Sequence, residues 1–219
     1  MKSNLLVFGA SEHGRVIADI ILKTNNYQLI GFVDSNKFKE IDLWGFSILG
    51  DENDLPEIIK NYNVNSIVIG IGDNFIREKV LLKLFDIPIK YATVIHPSAV
   101  IGRNAKIGEG SVIMANSTIG CNTVIGKHCI VNTKASLDHD SFMDDYSSLA
   151  PGVTTGGNVK IGKYTAIGLG CNIIHGIKIG ANVVSGAGSV IIKDIPDNIL
   201  TYGVPSKNIK ERKLGEKYL

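Results

Sequence analysis

At 219 residues and 44% hydrophobic content, the chain is long enough to pack one large domain or two small ones. Its 23 basic and 21 acidic residues leave a formal charge of +2, with no basic run that would track a nucleic acid. No apolar stretch approaches the roughly 20 residues needed to cross a bilayer. The opening Leu5-Leu6-Val7-Phe8 is too short for a signal-peptide core, and three cysteines without metal-type spacing fit free thiols in a reducing, cytoplasmic setting.

From Lys2 to about Ala92, short apolar runs alternate with helix-length amphipathic stretches, the pattern of parallel strands joined by helices. Strands are predicted at 5–8, 29–33, 66–71 and 92–95, and helices at 14–23, 53–61 and 74–85. Residues 1–94 therefore read as a small, incomplete doubly wound sheet, an α/β Rossmann-like half-domain. The first strand runs into Gly9-x-x-x-x-Gly14 and a helix, a turn whose backbone N–H groups can receive phosphate. It is not the G-x-G-x-x-G dinucleotide fingerprint, which argues against a redox cofactor; a plain tight turn is the alternative. Asp34 ends the second strand, where an acid can accept hydrogen bonds from a ribose or base, while helix capping is an ordinary role for Ser35 and Asp73.

From Ile95 the pattern changes to a six-residue period. Every sixth residue from 95 to 191 is large and aliphatic except Thr155 and Ser185, and the residue four places on is mostly small or β-branched. Glycine often follows the aliphatic residue, as in Ile101-Gly102, Ile107-Gly108, Ile119-Gly120 and Ile161-Gly162. This register predicts a parallel β-helix with three faces per coil. Sixteen uninterrupted hexads amount to a little over five coils of 18 residues, each about 4.8 Å above the last. Residues 95–219 form this second domain, with the α/β half covering one end and residues 193–219 the other.

The register resembles that of the left-handed β-helix acyltransferases over residues 95 to about 210, and the left hand is what the resemblance implies. The opening Phe8-Gly9-Ala10-Ser11-Glu12-His13-Gly14 is similar to the G-A-S-G-H-G start of the sialic acid O-acetyltransferase and bacillosamine-pathway N-acetyltransferase group, with Glu12 in place of the middle glycine. Gly72-Asp73-Asn74-Phe75-Ile76-Arg77 resembles the group's G-N/D-N-x-x-R segment, Asp138-His139-Asp140 its acidic-His-acidic triplet, and Gly203-Val204-Pro205-Ser206-Lys207 its G-x-P-A/S-K/R element.

The resemblance implies an acetyl-CoA-dependent N-acetyltransferase acting on the amino group of a nucleotide-linked sugar, a 4-amino-4,6-dideoxy sugar by preference. His139 would be the general base and Asp140 the residue that holds its ring. Ser11, Glu12, His13, Asp34, Ser35 and Gly72 would line the nucleotide sugar, with Asn132 near the sugar itself. Ser148, Gly157, Leu169, Ala187 and Lys207 would lie along acetyl-CoA; Ala187 stands where the group has glycine. A homotrimer with sites between subunits is implied as well. Acetylation of a sugar hydroxyl is the rival within the same group, and a metal-dependent β-helix hydratase or a non-catalytic sugar-nucleotide scaffold are rivals outside it.

His139 is third in the hexad beginning at Leu137, where a side chain leaves the coil, and an imidazole there can take a proton near neutral pH. A solvated surface histidine is the alternative. The column through it reads Arg103, Cys121, His139, Gly157, His175. A bare backbone at Gly157 is expected to leave room for a thioester and to expose an N–H for an oxyanion, unless Gly156-Gly157 only turns a corner. His139 and His175 are two coils apart, about 9.6 Å on the strand spacing, and His128 falls on another face, so no metal is expected. Cys129 and Cys171 occupy small inward slots and read as packing residues.

Overall fold

The apolar runs of the N-terminal half form four parallel strands, β1 Ser3–Phe8, β2 Tyr27–Val33, β3 Ser66–Ile69 and β4 Lys90–Tyr91, in the order β2-β1-β3-β4. The computed structural model describes residues 2–36 and 43–218. Helices α1 Glu12–Lys23, α2 Leu55–Asn61 and α3 Asn74–Lys83 cover the sheet. α1 starts two residues earlier than the apolar pattern places it, because the Ser11 hydroxyl caps it by accepting the Gly14 N–H at 3.2 Å. β3 stops at Ile69 where Gly70 meets Gly14; a Cβ on Gly70 would lie 2.8 Å from the Gly14 Cα.

The strand predicted over 92–95 is divided between two sheets. The Ala92 N–H still donates to Ile67 in the α/β sheet, but the Val94 N–H already donates to Ser111 in the first coil. Beyond this point strand pairs repeat in register every 18 residues, as Val112 with Ile130 and Ile130 with Ser148. The first face of the solenoid carries Val94–Ile95 through Val184–Ser185, the second Val100–Ile101 through Val190–Ile191, and the third Lys106–Ile107 through Lys178–Ile179. The coil count is about six, against the little over five that the hexads predict, and Ile199–Gly203 completes the last coil by pairing parallel with Val184–Ser185 after the six-residue period has ended. Ser206–Glu211 then folds back on it as an antiparallel hairpin.

Inside, the aliphatic column forms one continuous core from Ile113 to Ile195. Small hydroxyls between the aliphatic residues bind backbone: Thr123 Oγ1 donates to the Asp138 carbonyl at 2.8 Å and Thr165 Oγ1 to that of Gly180 at 2.7 Å. Cys129 and Cys171 are fully buried in this core, and burial pushes the Cys129 thiol up to about 11.

The two halves share a second core, in which Ile17, Ile20 and Ile21 of α1 pack on Val94, Val112, Met114 and Ile130 of the first face. A polar clamp joins them as well. The Asn74 side chain donates to the carbonyls of Tyr164 and Thr165 at 3.2 and 3.1 Å. Arg77, 1% exposed, donates to His128 O at 2.8 Å, Ile71 O at 2.9 Å, Gly72 O at 3.0 Å and Asn74 Oδ1 at 2.7 Å. The Gly72–Arg77 segment is thus a joint between domains. Arg77→Met leaves these acceptors without their donors and is expected to cost about 2–5 kcal/mol in urea unfolding; a loss below about 1 kcal/mol would show the clamp to be incidental.

Candidate active site

The three segments singled out in the α/β half follow the carboxyl ends of β1, β2 and β3, where open α/β sheets place ligands. Ser11 also donates through Oγ to Gly70 O at 3.0 Å, and Asp34 Oδ2 accepts the Ala10 N–H at 2.7 Å while its Oδ1 accepts that of Asn36. Both side chains therefore hold the turn in shape. Glu12 and Ser35 are exposed. The Nε2 of His13 is buried without a partner among the described residues, and burial, then the nearby Arg77 charge, lowers its pKa to about 4, so the imidazole is neutral at pH 7.

His13 and Gly72 open onto a cavity of about 680 Å³ whose floor is the first face of the solenoid. Asn132, Ser148, Leu169 and Ala187 line it too, so six of the residues singled out in the sequence meet in one place. Lys207 lies outside it, exposed on the terminal hairpin.

His139 stands apart from this cavity. It sits on the corner between the second and third faces, which does not border the first. Its Nδ1 is 2.8 Å from Asp140 Oδ2, and Asp140 Oδ1 accepts from Asn122 Nδ2 at 3.0 Å; Asn104 in turn donates to Asn122 at 3.3 Å. Asn104, Asn122, Asp140 and Asn158 occupy the same left-handed corner position, φ 56–61°, which short polar side chains tolerate. One rung of this ladder is a carboxylate, and it grips the imidazole. The hydrogen bond that His139 donates to Asp140 raises the His139 pKa, and the same bond, followed by that from Asn122, lowers the pKa of Asp140.

The imidazole of His139 lies over Gly157: a Cβ at position 157 would be 2.4 Å from both Cε1 and Nε2, and Gly157 is buried. The missing side chain also lets His139 and His175 approach to 6.1 Å between ring centroids, against the 9.6 Å that strand spacing suggests. Among the described residues no group of three or more His, Cys, Asp or Glu side chains is placed to hold a metal ion.

The two gaps in the aliphatic column prove informative. Thr155 Oγ1 accepts the Asp138 N–H at 3.0 Å, and Ser185 Oγ accepts the Gly168 N–H at 2.9 Å, in each case taking over a ladder bond just before His139 or Leu169. Missed altogether were Lys210, Arg212, Lys217 and Tyr218, which roof the cavity from the chain's end; no periodicity marks them.

A coiled solenoid of hexads behind a nucleotide-type α/β half defines a hexapeptide-repeat acyltransferase with a left-handed β-helix. Residues 4–84 match the PglD N-terminal domain family and residues 104–139 the bacterial transferase hexapeptide (six repeats) family. GDP-perosamine N-acetyltransferase of Escherichia coli O157:H7 is 30% identical over 217 residues, 93% of this chain and 95% of that protein. The acetyltransferase domain of PglB from Neisseria gonorrhoeae FA1090 superposes with a TM-score of 0.87 at 31% identity, over 95% of this chain and 100% of that one. A histidine-to-alanine mutant of GDP-perosamine N-acetyl transferase from Caulobacter crescentus, in complex with CoA and GDP-perosamine, gives 0.89 at 30%, over 95% and 98%. Other matches are local: the galactoside O-acetyltransferase of Escherichia coli K12 is 44% identical over 59 residues, and the chain spans 26% of its length. The chain belongs to the family of sugar N-acetyltransferases that includes GDP-perosamine N-acetyltransferase.

Proposed function

We propose that this protein transfers the acetyl group of acetyl-CoA to the amine of a nucleotide-linked amino sugar, with His139 as the general base. The observation that carries this reading is the His139–Asp140 pair. Its Nδ1 is committed to the carboxylate, which leaves Nε2 to take a proton from the attacking amine as the C–N bond forms and the C–S bond breaks. The named relatives and the CoA and GDP-perosamine complexes support the same chemistry. Ser11, Glu12, His13, Asp34, Ser35 and Gly72 would hold the nucleotide sugar with Asn132, and Ser148, Leu169 and Ala187 the coenzyme. Lys207 would meet the coenzyme at the rim, and Gly157 would serve it indirectly by seating His139.

In this reading the working unit is a homotrimer. Within one chain His139 and the cavity occupy different sides of the prism, so the base reaches substrate only as His139 of the partner subunit. Phe142, Ile174 and Ile192 leave apolar surface exposed around the His139 corner, and Leu169, 58% exposed, does so at the cavity. The free thiols of Cys121, Cys129 and Cys171 suit the cytoplasm, where the product would supply cell-surface glycan synthesis.

Incubation with acetyl-CoA and a panel of 4-amino and hydroxy nucleotide sugars, followed by thiol release, tests the proposal. Release with amino acceptors only is expected; release confined to hydroxy acceptors would assign O-acetylation instead. Asp140→Asn gives a finer test. The carboxylate raises the His139 pKa, so its removal lets the neutral base persist to lower pH, and the acidic limb of kcat/KM moves down. An unmoved limb would leave Asp140 as a surface residue.

A further inference from the structure

Apart from the neutral His13, the charged side chains lining the 680 Å³ cavity all come from one segment near the chain's end, Lys210, Arg212, Glu216 and Lys217. Leaving the hairpin strand, this segment turns where the Glu216 N–H donates to Lys213 O at 3.1 Å, then crosses to the α/β half. There the Tyr218 hydroxyl accepts the Asn74 N–H at 2.9 Å, and Gly215 lies against Phe75, whose ring a Cβ would approach to 2.6 Å. The segment therefore spans the cavity from solenoid to α3.

Arg212 is 7% exposed, and its Nε is buried without an acceptor among the described residues. Its Nη2 donates to the Glu216 carbonyl at 2.6 Å, and its guanidinium carbon lies 5.8 Å from the Tyr218 ring centre. The Glu216 carboxylate is already engaged by Lys210 Nζ at 2.6 Å and the Lys213 N–H at 3.2 Å. A desolvated guanidinium without a carboxylate partner is costly to keep, and its planar fork matches phosphate.

We propose that residues 210–218 are a strap over the cavity and that Arg212, flanked by Lys210 and Lys217, binds a phosphate group of the bound ligand. The inference rests on the acetyl-transfer reading, which offers two phosphate sources: the 3′-phosphate of coenzyme A and the diphosphate of the nucleotide sugar.

Calorimetric titration of the wild type, Arg212→Ala and Lys217→Ala with coenzyme A, dephospho-coenzyme A, GDP and UDP tests it. Loss of a charge-assisted bond is expected to weaken one phosphate ligand about 10- to 100-fold in Arg212→Ala, and the same ligand less in Lys217→Ala. If coenzyme A weakens while dephospho-coenzyme A does not, the 3′-phosphate is the guest. If a nucleoside diphosphate weakens instead, the nucleotide is. Should Arg212→Ala fail to fold, Arg212→Lys keeps the charge without the fork and must weaken the same ligand. Wild-type binding that the folded variants leave unaltered overturns this inference alone. A wild type that binds none of the four ligands overturns the acetyl-transfer reading and the strap's role together.

Discussion

His139→Ala is expected to lower turnover by about 10²- to 10⁴-fold while affinity for acetyl-CoA stays nearly unchanged, because a positioned base acts on the proton in flight and not on coenzyme binding. The variant should fold normally. The ring is exposed on a corner, and its removal takes away the bond to Asp140 Oδ2 without opening the aliphatic core. Steady-state kinetics with an amino nucleotide sugar, beside calorimetry with coenzyme A, separates the two effects. Turnover within a few-fold of wild type would remove His139 from the mechanism. A loss of coenzyme affinity equal to the loss of turnover would make it a binding residue.

Gly157→Val should reach nearly the same loss by a different route. The added Cβ would meet Cε1 and Nε2 of His139 at 2.4 Å, so the ring must swing away and give up its 2.8 Å bond to Asp140. Gly157 does not have a left-handed φ, and an exposed ring can move cheaply, so folding and melting should be near wild type. Gly157→Ala should suffice, since the first carbon already collides. The decisive comparison is the double variant: once His139 is alanine, a side chain at 157 has no ring to displace and should cost little more. Additive losses in the double variant would show that Gly157 serves acetyl transfer independently of His139, and a folded Gly157→Val enzyme with ordinary turnover would refute the contact altogether.

The solenoid was legible residue by residue because its coil is a local repeat. Each hexad needs one aliphatic residue, one small residue and one tight turn, and the column from Ile95 to Ile191 supplies them with only Thr155 and Ser185 out of place. The outward position of His139 and its column neighbours followed from that period alone. The α/β half was legible for the same reason, apart from its last strand. Residues 92–95 form one apolar run, yet they serve two sheets, and a hydrophobic pattern does not say which partner a strand will choose.

What the sequence could not provide were distances set by absent atoms and contacts between parts far apart in the chain. Strand spacing put His139 and His175 two coils apart, but the glycine between them lets the rings lean to 6.1 Å, with the His139 imidazole over Gly157. The resemblance implied a substrate contact for Gly72 alone in the Gly72–Arg77 segment, and it gave no sign that the Asn74 and Arg77 side chains bind the carbonyls of His128, Tyr164 and Thr165 in the solenoid. Arg212 and Tyr218 belong to a tail with no period, and only its return to α3 places them over a cavity whose other wall, at His13, is about 200 residues earlier in the chain. The sequence by itself therefore determined the coil, its inward and outward positions and the chemistry each column offers, since these depend on neighbours one rung away. The tertiary structure decided which columns meet, because that depends on how α1 and α3 dock against the first face and its adjoining corner through buried isoleucines and one buried arginine.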